Sequence, residues 1–462
     1  MDARANGIVQ AAGTALQSCR CAGWHRMEWT GRTMGMDRHA CILGAGIAGL
    51  ATAYALQRQG WQVTVIDQGP VGGGASGGNG AQLSYSYVQP LADASVWGQL
   101  PKLLFSPDSP LKLRPQWSLH QWRWGAAFLA ACNDTTSRST TGALLALAAR
   151  SRVAFEGLLE REGIACDFTR TGKLVVYRSP ESLAAAERQM ALQRAWGCEQ
   201  ESVSAARCVE LEPALAHGTD RIAGAIYTPS ECAADCRKVC EGLQALLAAR
   251  GVRFVLDAQL RGFDRRADGR IAAVQLRRAG SMEDVRMEAD HFVLALGSAS
   301  AAWAARLGMR LPVYPLKGYS LTLDAPADAA WAPHVNVTDA ARKVVFARLG
   351  DRLRVAGMAE LVGDDRSIPQ DRIDRLRQAV VEVFGHDPGA DAPLRPWTGM
   401  RPATPTGLPM VGRQPGGPAN GWLHTGHGAL GFTLSFGTAE QLAEAMAQAP
   451  QATAVPGAVH AA

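Results

Sequence analysis

The stretch "CILGAGIAGLATAYALQRQGWQVTVID", residues 41–67, decides the fold. A short apolar run leads into Gly44, Gly46 and Gly49 at G-x-G-x-x-G spacing, an apolar helical segment follows, and a second apolar run ends in Asp67. This is the pattern of a strand, a tight glycine turn, a helix and a second parallel strand. The first glycine permits the turn, the second lets backbone approach a phosphate, and the third brings helix and strand together. Bare N–H groups at the helix start then face the ligand, and the helix dipole favours negative charge there. An acid after the second strand can accept hydrogen bonds from ribose hydroxyls. Ile42, Leu43, Gly44, Ala45, Gly46, Ile47, Ala48, Gly49 and Asp67 are therefore read as nucleotide-binding positions.

Two more glycine-rich stretches need an explanation. "GGGASGGNGAQLS", residues 72–84, reads either as a flexible loop or as backbone laid against a ligand, with Ser76, Asn79, Gly80 and Gln82 as contacts. "TGHGALGFTL", residues 425–434, again runs from glycines into a helical segment, but no second strand–turn–helix–strand unit and no later acid follow it. A separate nucleotide has no site there. One long cofactor reaching both places is the economical reading, and FAD fits: ADP on the first turn, the ring system near Gly426, Gly428, Gly431 and Thr433, where a helix N-terminus stabilises the reduced flavin's negative charge. "HFVLALG", residues 291–297, reads as a central strand whose end at Gly297 meets the same ligand.

Composition sets the frame. The chain has 462 residues, 47% apolar and 19% charged, enough for two domains. Its net charge of +5 comes from scattered arginines, so no nucleic-acid groove is expected. Ten dispersed cysteines read as reduced thiols in a cytoplasmic protein, and Cys232, Cys236 and Cys240 as packing residues, with Asp235 capping a helix that leaves Cys232 outside. The fold expected is α/β: a Rossmann-like FAD-binding domain plus an α+β substrate domain with a mostly antiparallel sheet. The FAD-binding domain is assigned to residues 38–100, 205–305 and 396–447, and the substrate domain to 101–204 and 306–395. Residues 1–37 are read as a disordered extension and 448–462 as a flexible tail. "RFVLDAQLRGF", residues 253–263, is expected to be one strand. Trp117, Trp122 and Trp124 are read as core rather than as an interfacial belt.

"CILGAGIAGLATAYALQRQGWQVTVID", "ASGGNGAQLS", "PVYPLKGYSLTL", "RVAGMAELVG", "WTGMRPATPTGLPMVGR" and "LHTGHGALGFTLSFG" together resemble the FAD-dependent D-amino acid oxidase superfamily, over residues 39–447. The resemblance implies a two-domain flavoprotein that oxidises a D-amino acid such as D-alanine to an imino acid, which hydrolyses to a 2-oxo acid and ammonia. It further implies that electrons pass to a quinone or similar acceptor, with peripheral contact to the inner face of the cell membrane. Thr406 stands where the pattern has an acid, and no cysteine lies in 395–413 to hold the flavin covalently, so dissociable FAD is expected.

For an amino acid substrate, the strongest fixed recognition of the carboxylate is a bidentate arginine. Arg401 in "GMRP" matches the superfamily's carboxylate-binding arginine. Tyr314 and Tyr319 are candidates to support the carboxylate or close over the substrate, and His427 to tune the flavin, although its backbone position is the blander explanation; no role is assigned to Lys317. With the amine neutral, hydride transfer to flavin N5 needs no side-chain base. The rival readings are an oxygen-using oxidase of glycine, sarcosine or cyclic amines, an RNA-modifying flavoprotein, and a membrane-recruited subunit with a structural flavin.

Overall fold

A computed structural model of the chain describes residues 38–98, 111–388 and 394–449. The expected extension, 1–37, and most of the expected tail, 450–462, lie outside the described residues. Strands His39–Leu43 and Gln62–Ile66 flank helix Ile47–Arg58 and pair in parallel, Ile42 opposite Val65. They sit inside a six-stranded sheet ordered Met410–Gly412, Gly421–Thr425, His291–Leu294, His39–Leu43, Gln62–Ile66, Arg253–Val255, parallel except for its first pair.

Both faces of this sheet are covered, which is why its strands read as unbroken apolar runs. Ala40, Ile42, Val63, Val65 and Val293 face a core shared with helices Ile47–Arg58, Cys236–Ala249 and Gly431–Ala447. Cys41, Leu43, Ile66, Phe292 and Leu294 face the opposite core, shared with an antiparallel meander of Ala258–Arg265, Ile271–Arg278 and Asp284–Glu288. The period-2 alternation of a strand divides neighbouring residues between the two.

The segment read as one strand over 253–263 is two. Asp257 adopts φ +53, which breaks the extended run, and the Ala258 amide then donates to Asp67 O at 3.0 Å. Arg253–Val255 joins the parallel sheet and Ala258–Arg265 begins the meander. The pairs Asp268–Gly269 and Gly350–Asp351, hairpin-turn signals in the sequence, do form turns between strands, with Gly269 and Gly350 at φ +82 and +58. Asp235 caps helix Cys236–Ala249 by accepting from the Arg237 and Lys238 amides, and Cys232 lies before it in a strand.

A second, nine-stranded sheet runs Arg395–Ala403, Tyr314–Asp324, Arg352–Leu361, Val344–Leu349, Asn336–Asp339, Lys173–Tyr177, Gly224–Thr228, Glu201–Val203, with Leu111–Leu113 added beside Arg352–Leu361. Gly224–Thr228, from the range read as FAD-binding, pairs here with Lys173–Tyr177. Helix Gln370–Phe384 packs one face of this sheet through Ile373, Leu376, Val380 and Val383. Helix Asp134–Glu162, from the range read as substrate-binding, packs instead on the closing helix. Phe155 lies 5.5 and 5.0 Å from the rings of Phe432 and Phe436, and a Cβ on Gly437 would come within 2.6 Å of Ser151 N. Of the three tryptophans expected in the core only Trp124 is there; Trp117 and Trp122 are exposed on and beside helix Leu119–Ala131.

A polar cluster ties helix Ile47–Arg58 to helix Gly431–Ala447 within this apolar interior. His424 Nδ1 lies 2.7 Å from Thr52 Oγ1 and 3.0 Å from Ala48 O, and its Nε2 2.8 Å from Thr438 Oγ1. His427 Nε2 reaches the same Thr438 hydroxyl at 3.0 Å. Burial holds His424 down at about 4 and His427 well below the ordinary value. Both rings are therefore neutral at neutral pH.

Two predictions follow from this packing. Phe155→Ala removes a ring at the junction of two helices and is expected to lower the unfolding free energy by about 3–5 kcal/mol in a urea titration; a loss below about 1 kcal/mol contradicts that packing role. For His424 the unfolded chain binds a proton near pH 6.5 while the folded chain resists it to about 4, so its contribution is full above 6.5 and is lost as pH falls through that window. Melting temperature should drop between about pH 7.5 and pH 5, and His424→Gln should flatten that slope; an unchanged slope removes His424 as the cause.

Candidate cofactor and substrate site

Three loops leave the C-terminal ends of three adjacent parallel strands: 44–46 after His39–Leu43, 295–299 after His291–Leu294, and 426–430 after Gly421–Thr425. The outer two are separated by two strand spacings, about 10 Å. One extended ligand crossing the end of the sheet can touch all three. The ends of parallel strands are also where open α/β sheets take ligands.

The first loop is shaped by what it lacks. Gly44 has φ +114, and a Cβ there would lie 2.3 Å from Ala295 O; a Cβ on Gly49 would lie 1.9 Å from Gly44 O. Ile42 and Leu43 form the strand end, and the Ala45 amide donates to Asp67 Oδ2 at 2.7 Å. The Gly69 amide donates to Asp67 Oδ1 at 3.0 Å, so the acid braces the turn. Burial nevertheless raises the Asp67 pKa. Helix Ile47–Arg58 starts from Gly46 with no capping side chain of its own; Ser76 Oγ reaches across to accept from the Ile47 amide at 3.0 Å, while the Ala48 carbonyl meets His424. Beside Asp67 lies a cleft of about 410 Å³ lined by Gln68, Gln259, Leu260, Arg261, Trp303 and Arg306, at the end where an adenosine would rest. Those residues carry no motif, because meander and helix bring them together only in the fold.

The 72–84 loop crosses from this turn to the nine-stranded sheet. A Cβ on Gly78 would lie 2.3 Å from the Trp397 indole, and one on Gly80 2.9 Å from Val345 Cγ2. Ser320 Oγ donates to Gly78 O at 2.7 Å and Arg354 Nη1 to Asn79 O at 2.8 Å. Asn79 Oδ1 accepts from the Ala81 amide, and Gln82 Nε2 donates to Val337 O and Phe346 O. The side chains expected to face the cofactor are thus engaged elsewhere: Asn79 closes a turn within the loop and Gln82 anchors the loop to the sheet. The Ser84 amide donates to Thr433 Oγ1 at 3.2 Å, joining the loop to the start of helix Gly431–Ala447. That helix also lacks a capping side chain, leaving first-turn amides for an anion. Gly297, Gly426 and Gly428 all adopt positive φ, and Thr425 Oγ1 donates to Gly297 O at 3.0 Å. Bare glycine turns, two helix starts whose N-cap residues carry no capping side chain, and a shared strand end fit an extended anionic dinucleotide, FAD.

Arg401 lies in strand Arg395–Ala403 opposite Leu316. Its Nη1 donates to Met358 O at 2.8 Å, and its guanidinium lies against Gly318, where a Cβ would come within 2.3 Å of Nη2. It is partly accessible, and burial lowers its pKa to about 10. No carboxylate pairs with it among the described residues. Trp397, four residues away along the same strand and on the same face, covers Gly399 and touches the 72–84 loop at Gly78.

The two tyrosines part company. Tyr314 shares Arg401's face of the sheet, but its ring packs on Trp124 at 5.8 Å and its hydroxyl donates to Gln116 Oε1 at 3.4 Å. Tyr319, expected to close over the substrate, points to the other face. It lies in the core under helix Gln370–Phe384 and donates to Glu360 Oε2 at 2.7 Å, Glu360 in turn pairing with Arg372. Odd and even residues of a strand face opposite ways, so Tyr319 and Arg401 cannot share a site. Lys317 is buried on that same far side, 3.6 Å from Asp365. His427 bridges through its backbone to Ala403, two residues from Arg401. Gly318, Met358 and Trp397 were not singled out by sequence; a glycine inside the strand "PLKGYS" was the available signal for Gly318.

The profile of the FAD dependent oxidoreductase family matches residues 39–445. The chain is 45% identical over 431 residues to D-amino acid dehydrogenase 2 of Ralstonia nicotianae, covering 90% of this chain and 98% of that protein. It is 43% identical over 417 residues to D-amino acid dehydrogenase 2 of Pseudomonas aeruginosa, covering 90% and 96%. Among solved structures, glycine oxidase from Geobacillus kaustophilus superposes with a TM-score of 0.68 at 21% identity, over 91% of this chain and 97% of that one, a likeness of fold. The loops that gather at one end of the parallel sheet and the match along nearly the whole chain agree: this protein is an enzyme of the FAD-dependent oxidoreductase family, with FAD as its cofactor.

Proposed function

We propose that the protein is a D-amino acid dehydrogenase that oxidises small D-amino acids such as D-alanine to imino acids, which hydrolyse to 2-oxo acids and ammonia. The observation that carries this reading is Arg401, a partly accessible guanidinium held in a desolvated setting without a carboxylate partner among the described residues. A buried charge is stable only when paired, so such a group calls for an anionic ligand, and an α-carboxylate matches its fork. The names of the relatives in Ralstonia nicotianae and Pseudomonas aeruginosa support the same substrate class.

Bound FAD supplies the two-electron oxidant for the α-carbon–hydrogen bond. The residues proposed to hold it are those of the 44–49 turn with Asp67, of the 76–82 loop, Gly297, and 426–433. In this division of labour the six-stranded sheet carries the cofactor and the nine-stranded sheet the substrate arginine. Arg401 fixes the carboxylate and thereby the reacting carbon, a contribution of orientation. Tyr314 lies on the same face of the sheet, and His427 holds its loop, its neutral ring through Thr438 and its backbone through a bridge to Ala403. No side-chain base is assigned, since a neutral bound amine leaves only hydride to move. We further propose a quinone-type acceptor and a cytoplasmic, membrane-peripheral location, supported by the exposed Trp117, Leu119 and Trp122. No helix among the described residues is long and apolar enough to cross a membrane.

Two measurements test the reading. Anaerobic D-alanine should bleach the flavin absorbance of the FAD-loaded protein while L-alanine leaves it yellow; the reverse, or no bleaching by any D-amino acid, overturns the assignment. With a dye acceptor, Arg401→Met should raise KM for D-alanine roughly 100-fold through loss of two charge-assisted hydrogen bonds, with FAD retained; an unchanged KM removes Arg401 from the site.

A further inference from the structure

The setting of Arg401 contains a device that only the strand pairing reveals. Lys317 pairs with Glu360 and Tyr319 with Gly357, so between these pairs strand Tyr314–Asp324 has one residue, Gly318, while strand Arg352–Leu361 has two, Met358 and Ala359. This is a β-bulge, and Met358 within it adopts φ +62. A non-glycine residue holds that left-handed conformation only where its surroundings impose it. What the bulge achieves is visible in the contacts. It turns the Met358 carbonyl onto Arg401 Nη1 at 2.8 Å. Opposite the bulge, the bare Cα of Gly318 supports the guanidinium, and Gly318 is itself held by Thr398 Oγ1 donating to its carbonyl at 2.9 Å.

We propose that Gly318 and Met358 are positioning residues that together form a seat for the substrate-binding guanidinium. The inference rests on Arg401 being the carboxylate anchor. Its physical content is a choice of partner. A carboxylate beside Arg401 would fix its orientation but neutralise the charge that the substrate must meet. A backbone carbonyl fixes it through a dipole, occupies one N–H donor and leaves the full charge and the remaining donors for the ligand. The bulge is the means of bringing such a carbonyl to that place, since in a regular ladder the Met358 carbonyl would be directed along the sheet. The glycine is required because any side chain at 318 would enter the guanidinium.

The test uses the FAD-loaded full chain, with KM and kcat for D-alanine and a dye acceptor. A readout independent of turnover is the Kd of propionate, an unreactive carboxylate, from its perturbation of the flavin absorbance. Gly318→Ala and Met358→Val, the latter β-branched and averse to positive φ, should each raise KM and the propionate Kd at least tenfold, with kcat within about threefold and FAD content unchanged. Met358→Gly, which keeps the conformation, should restore what Met358→Val loses. Should Gly318→Ala fail to fold, the two Met358 variants decide. Unchanged KM and Kd in Met358→Val, or a Met358→Gly variant as impaired as Met358→Val, overturns the seat if Arg401→Met still raises both constants. If Arg401→Met leaves them unchanged as well, the anchor reading itself falls and takes the seat with it.

Discussion

The close approach of backbone to backbone at the end of the parallel sheet governs the rest of this molecule. Gly44 lies against the Ala295 carbonyl, and Gly49 against the carbonyl of Gly44, at distances that a Cβ would make impossible. That contact places the start of helix Ile47–Arg58 at the tip of the central strand and lets the neighbouring loops close around the same point. A place for an anionic cofactor follows from it, because the helix start lies at the sheet's end beside bare glycine backbone.

From that point the structure is a problem of joining two sheets. The glycine-rich loop 72–84 solves it by lying flat on the nine-stranded sheet, with Gly78 against Trp397 and Gly80 against Val345. Gln82 then bonds to two carbonyls of the sheet while Asn79 closes a turn within the loop, which keeps a glycine-rich segment in one conformation. The consequence is functional. In the proposed arrangement, a cofactor held on the six-stranded sheet meets the strand that carries Arg401 at a separation set by these backbone contacts.

The electrostatics of the interior follow one theme. His424 and His427 are kept neutral by burial and joined by one threonine hydroxyl, so the loop they hold carries no titrating charge at neutral pH. Glu360 and Arg372 compensate each other beneath the nine-stranded sheet. Arg401, like the more deeply buried Arg354, donates to a backbone carbonyl, and it has no carboxylate partner among the described residues. Uncompensated charge is costly in a desolvated place, and in the proposed reading a substrate carboxylate offsets it at Arg401.

What was legible in the sequence was local. The spacing of Gly44, Gly46, Gly49 and Asp67 encodes a turn whose geometry depends on a few consecutive residues, and the strand–helix–strand frame around it has one physical solution. The helix cap at Asp235 and the turns at Gly269 and Gly350 belong to the same class. Whatever depends on partners far along the chain was hidden. Whether Tyr319 faces Arg401 is a matter of strand phase against a neighbour, and whether 253–263 is one strand or two depends on which sheets stand on either side of Asp257. That Trp124 is buried and Trp122 is not depends on which side of one helix meets the nine-stranded sheet. The sequence by itself determined the dinucleotide turn, its acid and an arginine suited to a carboxylate. Only the tertiary structure decided what faces that arginine, because the carbonyl of Met358 and the bare Cα of Gly318 acquire their roles through a strand pairing that no short window of sequence contains.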